Sequence, residues 1–133
     1  MRHPKHVLFA GEKPFPILPA VDHYAGSEKL MLKAMQLQQE LGPVFDITCD
    51  CEDGAHAGAE RQHAEMVARL INSEHNRFNR VAARIHDVTH PHWQQDLDIL
   101  VGQAGNRLPF ITLPKPCSAG DVATQIEALR AAE

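Results

Sequence analysis

Five charged residues in three short stretches are the candidates for chemistry. Asp50, Glu52 and Asp53 stand together in DCEDGA, Arg84 stands in AARIH, and Lys115 stands in LPKP. Three acids within four residues repel one another unless a positive group neutralises them. Arg84 and Lys115 can supply that charge. A guanidinium can also grip a carboxylate in a fork of two hydrogen bonds, which a lysine cannot. Two roles are therefore open for Arg84: structural partner of Asp50 or Glu52, or clamp for an acid substrate. For the acids alone the bland reading is a solvated loop.

The stretch at residues 44–55 (VFDITCDCEDGA) positions the acids. Val44, Phe45, Ile47 and Thr48 are β-branched or aromatic and predict a strand. Side chains alternate along it, so Asp50 and Glu52 share one face, with Asp53 just beyond. Gly54 lets the backbone turn into a helix over 59–71, whose apolar side is Met66, Val67, Leu70 and Ile71. Val81, Ala83 and Ile85 alternate with Arg80, Ala82 and Arg84, a second strand that turns Arg84 away from the apolar side. A third helix opens near Pro91 with a stripe of Trp93, Leu97, Leu100, Val101 and Ala104. A strand at 110–113 precedes Pro114-Lys115-Pro116. Ser118 and Asp121 form a capping pair for a last helix through Val122, Ile126 and Leu129.

Upstream, Ser27 caps a helix with Leu30, Ala34, Leu37 and Leu41 at helical spacing, and Met31 and Met35 beside them. Gly42-Pro43 ends it. The first strand is either Val7-Leu8-Phe9 or residues 15–19 (FPILP), and residues 1–14 form a basic arm. The whole is βα repeated four times at about 30 residues per unit. Such alternation implies a parallel sheet, either open and doubly wound or part of a (β/α)8 barrel. A complete barrel needs about 250 residues, and this chain has 133. In both architectures the carboxyl ends of the strands gather on one side, which brings the five charged residues together.

Composition excludes other classes. Hydrophobic residues make up 44% and charged residues 23%, with a net charge of -4, which does not suggest nucleic acid or an anionic membrane as partner. No apolar run reaches the ~20 residues of a membrane span. The short apolar run near the start does not make a signal peptide, so the expected location is cytoplasmic. Cys49 and Cys51 share a strand face and read as small buried hydrophobes rather than a metal pair. His90-Pro91-His92 reads as a helix opening rather than a ligand pair.

The motifs have a family likeness. Asp50-Cys51-Glu52-Asp53-Gly54-Ala55 resembles the DLEDAV of the citrate lyase β-subunit and malyl-CoA lyase family, the HpcH/HpaI aldolases with a phosphoenolpyruvate/pyruvate-type TIM barrel. Ala83-Arg84-Ile85-His86 stands where that family has VRVN. Leu113-Pro114-Lys115-Pro116 followed by Ser118-Ala119-Gly120-Asp121-Val122 resembles LPKVESAADV. Pro19-Ala20 with Lys33-Ala34 resembles the family's opening. The likeness covers residues 15–133 and implies the N-terminal half of a TIM-barrel lyase domain.

By that resemblance the reaction is cleavage or formation of a carbon–carbon bond in a hydroxy acid or its CoA thioester. It proceeds through a Mg²⁺-stabilised enolate. Arg84, Glu52 and Asp53 are the implied catalytic residues, and Arg84, Lys115 and Asp50 the implied substrate-binding ones. Glu52 and Asp53 would hold metal-bound waters. The family's direct metal ligands, acids on its fifth and sixth strands, are expected beyond Glu133. A homo-oligomer, trimer or hexamer, is implied too, with a small carboxylic acid or acyl-CoA as ligand. His86 stands in place of the family's asparagine and Cys51 in place of its leucine. Val21-Asp22-His23-Tyr24, read as the loop after the first strand, lacks the basic residue usual in CoA-using members. Two other readings compete: a phosphoacceptor receiver domain, in which Asp22 stands where an acid pair is needed, and a catalytically silent assembly domain.

Overall fold

The computed structural model describes residue 19 and residues 21–133. Four strands alternate with four helices: β1 (Asp22–Ala25), α1 (Glu28–Leu41), β2 (Asp46–Asp50), α2 (Glu60–Asn72), β3 (Val81–Arg84), α3 (Trp93–Ala104), β4 (Ile111–Thr112) and α4 (Ala119–Ala132). The strands form one sheet in the order β1-β2-β3-β4, and every pair is parallel. A receiver-type sheet reverses direction at its first strand, in the order 2-1-3-4-5. Here each crossover moves to the next strand in the same direction. Right-handed crossovers then put every helix on one side, and consecutive helices do pack against one another. That winding fits part of a (β/α)8 barrel.

The two sheet faces differ in chemistry. Ala25, Ile47, Cys49, Cys51, Val81, Ala83 and Ile85 pack with the helices in the hydrophobic core. The opposite face carries Asp22, Tyr24, Asp46, Thr48, Asp50, Arg80 and Arg84. Thr48 Oγ1 donates to both oxygens of Asp22 at 2.9 and 2.8 Å, and Arg80 Nη1 lies 2.9 Å from Asp46 Oδ1. This face is only partly buried, and its buried polar groups, Thr48 and Asp50, are paired, as burial requires.

Several sequence expectations need correction. Asp22–Ala25, in the stretch read as a loop, is a strand, the first among the described residues; the candidates Val7-Leu8-Phe9 and residues 15–19 lie outside the described residues, apart from Pro19, which is in no strand. β1 leads into Gly26-Ser27, also without a basic side chain. In α1 the buried face is Met31, Ala34, Met35 and Gln38, whereas Leu30, Leu37 and Leu41 are exposed. Gln38 belongs inside because its Nε2 donates to the Phe45 carbonyl at 2.7 Å. Ser27 occupies the N-cap of α1, but its side chain makes no capping bond. Pro91 lies in a turn ahead of α3, whose N-cap position His92 occupies without a side-chain capping bond. Ser118 and Asp121 do form a reciprocal capping box on α4. Cys49 and Cys51 are free and buried.

Candidate active site

Parallel register brings the first pair together. Asp50, the last residue of β2, is the partner of Arg84, the last residue of β3. Arg84 Nε donates to Asp50 Oδ1 at 2.8 Å and Nη2 to Oδ2 at 2.7 Å, a two-armed fork. Asp50 also accepts the backbone N–H of Glu52 at 2.9 Å and of Gly54 at 2.8 Å. Burial pushes the Asp50 carboxyl up, but the guanidinium and the two amides outweigh it and hold the pKa below the ordinary carboxylate value. Asp50 in turn raises the pKa of Arg84.

The other acids lie in the turn after β2 and complete a network. Arg84 Nη1 is 3.1 Å from Glu52 Oε2, and Lys115 Nζ is 3.0 Å from Glu52 Oε1. Both Glu52 oxygens are buried, and neither contact has hydrogen-bond alignment, so these are ion pairs that leave acceptor capacity unused. Lys115 Nζ also donates to Asp53 Oδ1 at 2.8 Å, and Asp53 and then Glu52 raise its pKa. Asp53 Oδ2 is a looser 3.9 Å from Arg84 Nη2. Lys115 has φ of 46°, a left-handed backbone that is uncommon outside glycine. Held between two prolines, it brings its ammonium to the acids.

All five residues singled out in the sequence meet here. The fork also realises the structural-partner reading of Arg84, and the edge that could grip a substrate carboxylate already holds Asp50. Tyr24 was missed: its ring lies 5.2 Å below the Arg84 guanidinium carbon, a cation–π contact. Its strand reads as a loop in the sequence, which hides its alternation. Gly54 lies in the expected turn, closed by the Ala55 N–H to the Glu52 carbonyl at 3.1 Å, and it also provides room. A Cβ there would lie 2.6 Å from Asp50 Oδ2, and a Cβ on Gly26 would lie 1.9 Å from the Gly54 carbonyl oxygen. The two glycines let the loops after β1 and β2 touch.

Glu52, Asp53 and Lys115 line a cavity of about 210 Å³ together with His56, Glu60, His86, Asp87 and His90. Larger surface hollows beside α1 and beside the end of α3 contain none of the cluster. His86 is fixed from behind. Its backbone N–H donates to Asp96 Oδ2 at 3.0 Å, and its Nδ1 lies 2.6 Å from the same oxygen. Burial pushes the Asp96 carboxyl up, against the bonds from His86 that pull it down. Asp96 was also missed. Its signal was an acid between Trp93 and Leu97 on the apolar stripe of α3. Among the described residues, no group of three or more His, Cys, Asp or Glu side chains is arranged to hold a metal ion. No helix among them is long and apolar enough to cross a membrane.

A citrate lyase from Burkholderia xenovorans LB400 has a crystal structure similar to this chain, with 56% sequence identity and a TM-score of 0.83. The match covers 86% of this chain and 36% of that one, so the chain spans about a third of its neighbour's length. No protein-family model matches the chain, and no curated protein matches it.

Proposed function

From a chain that is citrate lyase-like in sequence and fold, we propose part of a (β/α)8-barrel enzyme that cleaves or forms a carbon–carbon bond in a hydroxy acid or its CoA thioester. The observation that carries this reading is the network at the carboxyl ends of three parallel strands. Arg84 and Lys115 there face three acids beside an open cavity. Substrates of α/β proteins bind at that end of the sheet. Among the described residues β1 and β4 each pair on one side only, and Val21, Leu37 and Val44 leave apolar surface near β1. Further barrel strands, and other subunits of a homo-oligomer, would cover such surface.

Lys115 is the group with freedom to meet a substrate, because its side chain is 55% exposed. The incoming carboxylate would replace Asp53 at Nη2 of Arg84, the weakest contact in the network, while the fork to Asp50 holds the guanidinium in place. Positive charge fixed at this point stabilises an enolate as it forms, without reorganisation. Of the acids, Asp53 is exposed at the cavity and can hold a Mg²⁺-bound water, whereas Glu52 would do so only by giving up part of its contact with Arg84 or Lys115. When bound, the metal would polarise the keto-acid oxygens. Its direct ligands would come from outside residues 21–133. The test is keto-acid release from citrate, malyl and citramalyl substrates by the natively purified protein with Mg²⁺. Release that Arg84→Ala abolishes is expected; folded wild-type protein that cleaves none of them refutes the proposal.

A further inference from the structure

Histidines that the chemistry above leaves unused line the same cavity as Glu52, Asp53 and Lys115. His86 follows Arg84 by two residues and lines the cavity with Glu52, Asp53 and Lys115. Asp96, fully buried on α3, holds the backbone N–H and the ring of His86 through one oxygen. Gln125 Nε2 on α4 donates to the His86 carbonyl at 3.2 Å. The His90 ring stacks on His86 with centroids 3.9 Å apart and planes 9° apart. The imidazole is therefore fixed by hydrogen bonds on its Nδ1 side and by stacking on one face. A carboxylate at Asp96 that accepts from Nδ1–H leaves the ring's lone pair on Nε2. Nε2 makes no hydrogen bond with a described residue. A buried carboxylate, an imidazole it orients and a free Nε2 beside a cavity make up a general base with its orienting group.

We propose that His86 Nε2 is the proton-transferring group of this site, oriented by Asp96 as a positioning residue. The inference rests on the lyase reading above. In cleavage, Nε2 takes the proton of the substrate hydroxyl, and the O–H electron pair becomes the second bond of the new carbonyl. The carbon–carbon bond breaks, and its pair goes into the enolate of the departing fragment. The imidazolium then returns the proton to the enolate carbon, so no oxidant or further reactant is needed. Condensation runs the same steps backwards.

The test uses natively purified protein. His86→Ala is expected to lower kcat about 10²- to 10⁴-fold with KM little changed, and added imidazole to restore part of the loss. Asp96→Asn is expected to lower kcat and to move the ring proton from Nδ1 to Nε2 in long-range ¹H–¹⁵N spectra. If circular dichroism shows that His86→Ala does not fold, His86→Gln takes its place with the same expected loss. A folded His86 variant that turns over like wild type overturns the proposal and leaves the lyase reading standing. So does a folded His86→Ala protein that imidazole does not rescue, or a wild-type ring protonated on Nε2 alone. Wild-type protein that cleaves no substrate overturns the lyase reading, and this role with it.

Discussion

Replacing Arg84 with lysine keeps one positive charge and removes the fork. Asp50 is 5% exposed and accepts four hydrogen bonds, two of them from Arg84. An ammonium at position 84 is a point charge and cannot reproduce the two parallel arms of the fork. The Arg84 side chain is 19% exposed, so solvent screens the lost contact only in part. One charge-assisted hydrogen bond to a buried carboxylate is worth about 1.5–3 kcal/mol. For a chain of this size that corresponds to a melting temperature lower by roughly 5–15 °C. If the same guanidinium also binds the substrate acid, turnover per folded molecule falls by a further 2–4 kcal/mol equivalent, about thirty- to a thousandfold. Thermal melts and steady-state kinetics on Arg84→Lys separate the two effects. A melting temperature within a degree of wild type refutes the structural share. Unchanged turnover per folded molecule refutes the clamp.

Three further outcomes come from the same geometry. Asp50 has a lowered pKa in the folded protein, so the stability it confers is complete above the ordinary carboxylate pKa of about 4 and is lost as pH falls through the lowered value. Urea midpoints measured below pH of about 4 should therefore drop more steeply for wild type than for Asp50→Asn, and parallel slopes would contradict this. Gly26→Ala puts a methyl group 1.9 Å from the Gly54 carbonyl oxygen, and is expected to cost about 1–3 kcal/mol or more in a thermal melt; a neutral result would mean that the two loops do not touch. Calorimetric titration of Mg²⁺ into residues 1–133 is expected to show weak binding, because Glu52 and Asp53 act through water; tight binding would place direct ligands within this chain.

The four βα units were legible because each helix and strand carries its own periodicity, and the charged cluster because strand parity fixes where Asp50 and Arg84 point. The rest depends on tertiary context. The strand DHYA is short, with three of its four residues exposed, so its residues carry too little apolar alternation to read as a strand. In α1 two apolar stripes overlap, one of leucines and one of methionines. Spacing alone cannot say which meets the sheet, and the methionine face does. Gly54 reads as a turn glycine and is one, but its need for room beside Asp50 and Gly26 only the folded loops reveal. The partnership of His86 with Asp96 joins residues on either side of a turn and depends on the crossing of α3.

Enolate formation can be observed without cleavage. In D₂O with Mg²⁺, natively purified protein should exchange the methyl protons of pyruvate, a short keto acid, for deuterium. NMR should show that exchange above the rate with Mg²⁺ alone, and it should be lost in Arg84→Ala and Lys115→Met. Folded wild-type protein that leaves the methyl signal at the metal-only rate would contradict an enolate-forming lyase.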